Sequence, residues 1–222
     1  RVHEALEFLY NEILTGQILL LDTVLDKYDS LWTEHWHDRI AIVKREISVE
    51  QTRRIGVACL ARYYRNYYPF DTPAIHNELD MKFSIDPDGT YNIRGIVDRV
   101  DRFEDGQYEI HDYKTSGRAM SQNEANKDRQ LALYQIGLTE IFPDVREVKL
   151  VWHFLRQGIR REVVKSATDL DKLIDKIKAL IDTIKKKEES GGQFPAKESI
   201  LCNWCYYWEE CPAKNGSNPY VG

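Results

Sequence analysis

Three charged residues are the first candidates for chemistry: Asp98, which follows Gly95-Ile96-Val97 in mid-strand, and Asp112 and Lys114, which flank Tyr113. All three belong to the stretch from Tyr91 to Ser116, YNIRGIVDRVDRFEDGQYEIHDYKTS. Two strand-like runs in it, Ile93 to Phe103 and Tyr108 to Tyr113, are joined by Glu104-Asp105-Gly106-Gln107, a turn composition expected of a β-hairpin. Alternation along a strand sends Asp112 and Lys114 to one face, and antiparallel pairing brings Asp98 toward them. Two carboxylates and an ammonium at the open end of a sheet need compensation, which a hard divalent cation supplies. The carboxylates can bind Mg²⁺ or Mn²⁺. The lysine cannot, and is left to orient a metal-bound water and to stabilise charge on a phosphate oxygen during in-line displacement. This is chemistry for cleaving a phosphodiester. The plainer alternative is that strand ends carry Asp and Lys because they are solvated, where an exposed pair contributes little.

The segments GIVDRVD and EIHDYKTS together resemble the PD-(D/E)XK nuclease superfamily, specifically its RecB-like branch. The resemblance implies a restriction-endonuclease-like α/β fold, with a central mixed sheet flanked by helices, and assigns Asp98, Asp112 and Lys114 to catalysis. It extends to VHEALE, similar to the helix whose histidine joins the two carboxylates on the metal, so His3 becomes a ligand with Asp98, Asp112 and the Tyr113 carbonyl. It extends also to QLALYQ, similar to the Q-x-x-x-Y helix that positions the strand being cut, which implicates Gln130 and Tyr134. These two are four residues apart and share a helix face. Glu78, on the preceding strand, stands where such enzymes often carry an acidic residue near the site. Read from the residues alone, His3 is a packed or surface histidine, Tyr134 is core and Gln130 is a polar edge.

The elements that must position these residues follow from periodicity. Val2, Leu6, Leu9 and Ile13 recur at helical spacing and predict a first helix ending near Thr15-Gly16. Residues from Ile18 to Tyr68 read as helical, with breaks near Ser30 and near Ile47-Ser48. Their aromatic side chains (Trp32, Trp36, Tyr63, Tyr64, Tyr67, Tyr68) are read as helical packing in preference to base stacking. Ala74 to Ile85 is a strand, and Thr115 to Asn123 a loop. Glu124 to Ile141 is one helix, Val145 to Leu155 and Ile159 to Lys165 form a second hairpin, and Leu170 to Ile184 make a long amphipathic helix.

A chain of 222 residues, 42% hydrophobic and 30% charged, is enough for one sizeable core with a small appendage. The expected division is a nuclease-like domain over 1–189, with a helical N-terminal portion, and a cysteine-rich C-terminal segment over 190–222 packed on the same domain. No apolar run approaches a membrane span, and the expected location is the cytoplasm. The net charge of −5 argues against wholesale coating of nucleic acid but allows a local basic groove. Arg94, Arg99, Arg102, Lys114, Arg118, Lys127 and Arg129 cluster around the candidate site in sequence. Strand alternation sends part of the cluster elsewhere, and most of it is expected at the solvated surface.

In the tail, Cys202, Cys205 and Cys211 form C-x2-C-x5-C followed by Pro212. Such density in an intracellular chain points to metal rather than disulfides, and three thiolates need a fourth ligand for zinc or a 4Fe-4S cluster. Cys59, the remaining cysteine, reads as a buried small hydrophobe. The tail is similar to the iron-sulfur subset of RecB-like nucleases, such as AddB-type helicase-nuclease subunits and CRISPR-associated adaptation nucleases. That likeness implies a 4Fe-4S cluster whose fourth cysteine falls upstream of Arg1, with zinc as the alternative. The expected function is metal-dependent hydrolysis of DNA, single-stranded or with free ends, in repair, recombination or CRISPR adaptation, alongside a helicase or integrase partner. A catalytically silent nuclease-like module that binds DNA or a partner is the alternative.

Overall fold

A computed structural model of the chain describes residues 1–38, 40, 42 and 46–220. Three helices come first: α1 (Val2–Leu14), α2 (Leu21–His35) and α3 (Val49–Tyr67). Strands β1 (Ala74–Ser84), β2 (Asn92–Arg102) and β3 (Gln107–Lys114) follow, then helices α4 (Gln122–Lys127) and α5 (Gln130–Ile141). Strands β4 (Glu147–Phe154) and β5 (Ile159–Val164) and the long helix α6 (Ala167–Glu189) complete the body. The five strands form one sheet in sequence order. β3 and β4 are parallel and the other neighbours antiparallel, so the sheet is mixed, and α4 and α5 carry the crossover that a parallel pair requires. The fold is the α/β, restriction-endonuclease-like arrangement expected.

Two cores lie on opposite faces of this sheet. Met81, Val97, Ile110, Leu131, Leu138, Leu150 and Trp152 belong to one, beneath α5 and α6. Leu6, Leu9, Tyr10, Tyr28, Leu60, Tyr63 and Tyr113 belong to the other, beneath α1 to α3. Buried on both sides, β3 is the central strand, and every residue from Tyr108 to Tyr113 is buried. Tyr63 and Tyr64 are packed, as the helical reading expects.

Local signals fix most boundaries. Ser48, Ser121 and Ser166 open α3, α4 and α6, each accepting from the backbone amide three residues on. The expected break at Ser30 does not occur. Val24, Tyr28 and Leu31 continue one inward stripe across it, and that burial outweighs the weak helix preference of serine; α2 stops at His35 instead. The single helix expected over 124–141 is two. Asp128 turns its carboxylate onto the Gln130 amide at 2.9 Å, ending α4 and starting α5 afresh.

Among the described residues, none from 190 to 220 joins either core. Trp208 is buried locally, with Tyr220 and Lys214 against its ring. Among the described residues, no helix is long and apolar enough to cross a membrane.

Candidate active site

The β2–β3 ladder runs from Arg102 opposite Tyr108 to Arg99 opposite His111. One step further, Asp98 would face Asp112; there the Asp98 carboxylate instead accepts from the Tyr113 amide at 2.6 Å. From the other side, Asn77 pairs with Arg99 and Leu79 with Val97, which sets Glu78 opposite Asp98. Glu78 has φ of 49°, left-handed backbone that a residue with a side chain seldom adopts. At the N-terminus of α1, His3 Nε2 lies 2.6 Å from the Tyr113 carbonyl and 3.9 Å from Asp98 Oδ2.

On the α5 side, Lys114 Nζ lies 2.8 Å from Asp112 and donates to Gln130 Oε1 at 3.2 Å. Gln130 Nε2 in turn donates to the Tyr134 hydroxyl at 3.1 Å. Tyr134 can reach this position because residue 95 is glycine: a Cβ there would meet Tyr134 Cε1 at 2.4 Å. All seven residues named from sequence at this end of the sheet thus form one connected group, and Glu78 adjoins it. A cavity of about 320 Å³ adjoins His3 and Thr115, with Tyr28, Trp32 and Ile55 in its walls.

Charge here is poorly compensated. Burial pushes the Asp112 carboxyl up to about 6; Lys114 opposes the shift and Asp98 reinforces it. Burial, with Asp98 and Glu7 beside it, pushes Glu78 up to about 7. Lys114 Nζ lies 2.8 Å from both Asp112 oxygens, in hydrogen-bond geometry with Oδ1 alone, so Oδ2 is buried with only an ionic contact to the ammonium.

Hard divalent cations are what PD-(D/E)XK nucleases usually bind, and the donor set fits one: two carboxylates, a backbone carbonyl and an imidazole, with Asp112 Oδ2, buried and without a hydrogen bond, among them. The ligand atoms of His3, Asp98 and Asp112 are not drawn within 4.8 Å of one another. Among the described residues, the one group that tight is Asp101, Glu109 and His111, on the opposite face of the sheet. Its ligand atoms already have cations. Arg99 Nε and Nη2 meet Asp101 at 2.8 and 3.0 Å, and Nη2 lies 3.0 Å from both ring nitrogens of His111. Lys149 and Arg160 each hold Glu109 at 2.9 Å. A guanidinium occupies the place a metal would take.

This second cluster went unread in the sequence. Arg99, one of a basic group of which most was expected at the solvated surface, is 3% exposed. It donates to the Tyr63 and Tyr113 hydroxyls at 2.7 and 3.0 Å and to that of Tyr10. The signal available was alternation, since Arg99 and Asp101 share a strand face opposite that of Asp98. Three other arginines of the basic cluster are neutralised outside: Arg94 by Asp80, Arg102 by Asp144 and Arg118 by Glu124.

In the tail, thiolates sharing one zinc would sit about 3.8 Å apart. Cys202, Cys205 and Cys211 are not gathered that closely. Cys59 is buried in the helical core, where burial raises its thiol pKa.

A family model of the PD-(D/E)XK nuclease superfamily matches residues 1–212. The chain belongs to that superfamily. No curated protein matches the sequence. Among solved structures, one from Eubacterium rectale, described as a candidate exonuclease, is 10% identical with a TM-score of 0.49, covering 95% of this chain and 75% of that one. The structure of SSO0001 is 15% identical with a TM-score of 0.43, covering 88% of this chain and 97% of that one. Membership rests on the family match.

Proposed function

We propose that this nuclease is a Mg²⁺- or Mn²⁺-dependent deoxyribonuclease acting on single-stranded or end-bearing DNA. The observation that supports the reading is that one end of the sheet brings together His3 on the Tyr113 carbonyl, Asp98 on the Tyr113 amide and Lys114 on the buried Asp112 carboxylate. His3, Asp98, Asp112 and Tyr113 would hold the cation, which supplies Lewis-acid stabilisation of the phosphate and lowers the pKa of a bound water. Lys114, held by Asp112 and Gln130, would orient the attacking water and stabilise the charge that develops on the phosphate. Gln130 and Tyr134 form a hydrogen-bonded pair on one helix face and align the strand. Residues 1–189 form the nuclease domain on this reading, and 190–222 an appended segment. It works in the cytoplasm, in repair, recombination or CRISPR adaptation, beside a helicase or integrase.

Lys114→Ala should abolish cleavage while DNA binding and metal binding survive, because the ammonium acts at the transition state. Asp112→Ala should lose metal and activity together. Cleavage of single-stranded DNA by Lys114→Ala at the wild-type rate would refute the mechanism. A silent binding module would leave wild-type protein inactive with either metal; the buried Asp112, whose carboxyl is pushed up by burial in spite of Lys114, speaks against it, since such a module gains nothing from that charge.

For the tail we propose that Cys202, Cys205 and Cys211 hold a 4Fe-4S cluster, with a fourth cysteine upstream of Arg1, as a clamp between the chain's ends. Cys59, enclosed among Leu60 and Tyr28 in the helical core, is poorly placed to join them. Iron and zinc analysis of a longer, anaerobically purified chain tests this. Cys205→Ser should lose the metal and Cys59→Ser retain it.

A further inference from the structure

Several cations that form no ion pair among the described residues are gathered in one place beside α5. Where α4 gives way to α5, a cleft of about 260 Å³ opens against the start of α6. Lys127, Arg129, Lys165, Lys172 and Lys176 line it. Its two carboxylates are already engaged: Asp128 caps the Gln130 amide, and Asp169 accepts from the Ser166 hydroxyl at 2.7 Å. Lys165 donates to the Asn126 carbonyl and ties the two walls together. Lys127, Arg129, Lys172 and Lys176 are exposed, and none of the four is in an ion pair among the described residues. On a chain of net charge −5, this concentration of positive charge stands apart from its surroundings.

The cleft adjoins the candidate active site along the chain. Arg129, in its wall, immediately precedes Gln130, whose side chain touches Lys114. We infer that this cleft is the track along which the phosphodiester backbone of the DNA strand runs on its way to or from the cutting site. The inference rests on the nuclease reading and adds to it the path of the strand. Its recognition is of phosphate charge and not of bases, because the lining offers ammonium and guanidinium groups with no aromatic ring.

Binding of a fluorescent single-stranded oligodeoxynucleotide, measured in EDTA so that no metal-dependent cleavage takes place, tests it. K172E/K176E should weaken binding about tenfold or more at low salt, and the milder K172Q/K176Q should flatten the plot of log affinity against log salt by about 1.4, at roughly 0.7 per phosphate released. K185E/K186E, the same charge change further along α6, should alter affinity little. Equal losses for K172E/K176E and K185E/K186E, or no loss for either K172/K176 variant, would overturn the inference. So would a polyglutamate peptide that binds as tightly as DNA and is lost in the same variants, which would assign the cleft to an acidic protein. Failure of the nuclease reading is a separate result: wild-type protein that binds DNA through the cleft and does not cut it with Mg²⁺ or Mn²⁺.

Discussion

Strands β2 and β3 carry two polar clusters back to back, and adjacent residues contribute to opposite ones. Asp98 and Asp112 face the candidate active site, while their neighbours Arg99 and His111 face the helical layer. The second cluster is saturated: Arg99 is forked onto Asp101 and surrounded by three tyrosine hydroxyls, and burial with Arg99 beside it lowers His111 to about 4. The first is deficient, with two carboxyl groups pushed upward by burial and one ammonium, that of Lys114, set against its carboxylates. One strand pair thus holds charge in two ways. Where its own side chains complete the balance, the cluster is structural; where carboxylates outnumber the cations beside them, as at Asp98, Asp112 and Glu78, the cluster is the candidate for binding a cation.

The largest effect should come from the saturated side. Arg99→Leu removes the partner of Asp101, which is 2% exposed, and leaves that carboxylate with Thr72 and His111 alone. Breaking a buried pair on one side costs about 3–5 kcal/mol. Urea denaturation should register that loss, with metal absent throughout. A change below about 1 kcal/mol would dissolve the distinction between the two clusters.

On the deficient side the sign reverses. Asp112 has a folded pKa of about 6 against an ordinary 3.8, so its contribution is present below pH 3.8 and is lost as pH rises to 6. Asp112→Asn should therefore stabilise the metal-free protein at pH 7, by at most about 3 kcal/mol, and by little below pH 4. It should also abolish cleavage. His111 behaves oppositely: with its folded pKa near 4 against 6.5, its contribution is present above pH 6.5 and is lost as pH falls to 4. Stability of Asp112→Asn measured by urea from pH 4 to 6.5 should rise with pH more steeply than that of the wild type. Parallel curves would show that Asp112 is not under strain from burial.

The deficient cluster was legible in the sequence and the saturated one was not, for a physical reason. Asp98, Asp112 and Lys114 break the apolar pattern expected of a central strand, and an unmatched charge is visible without knowing the partner. Arg99, Asp101 and His111 break the same pattern, but their partners Tyr10, Tyr63 and Thr72 come from other elements, up to 89 residues away. Only the packing of α1 and α3 on the sheet reveals that they are satisfied. The sheet and its turns were readable because alternation and Gly106 act locally. The interruption at Asp128 was not, because a side-chain cap inside a helical pattern looks like any other polar surface residue.

The smallest stability change should be at His3, which lies on the boundary between the two classes. Its side chain is 47% exposed, and in the metal-free protein its one hydrogen bond is to the Tyr113 carbonyl. Losing a half-exposed hydrogen bond costs roughly 0.5–1 kcal/mol. Its loss should matter to metal binding far more. Imidazole is a softer donor than carboxylate and suits Mn²⁺ better than Mg²⁺, so His3→Ala should raise the Mn²⁺ concentration for half-maximal cleavage by about tenfold or more. The Tyr113 carbonyl, released from the histidine, would be free to serve as a ligand and would keep some affinity in the variant. An unchanged metal requirement would return His3 to the ordinary surface and leave the deficient cluster with its two carboxylates. A loss of stability as large as that from Arg99→Leu would instead make His3 part of the packed framework and take it out of the proposed ligand set.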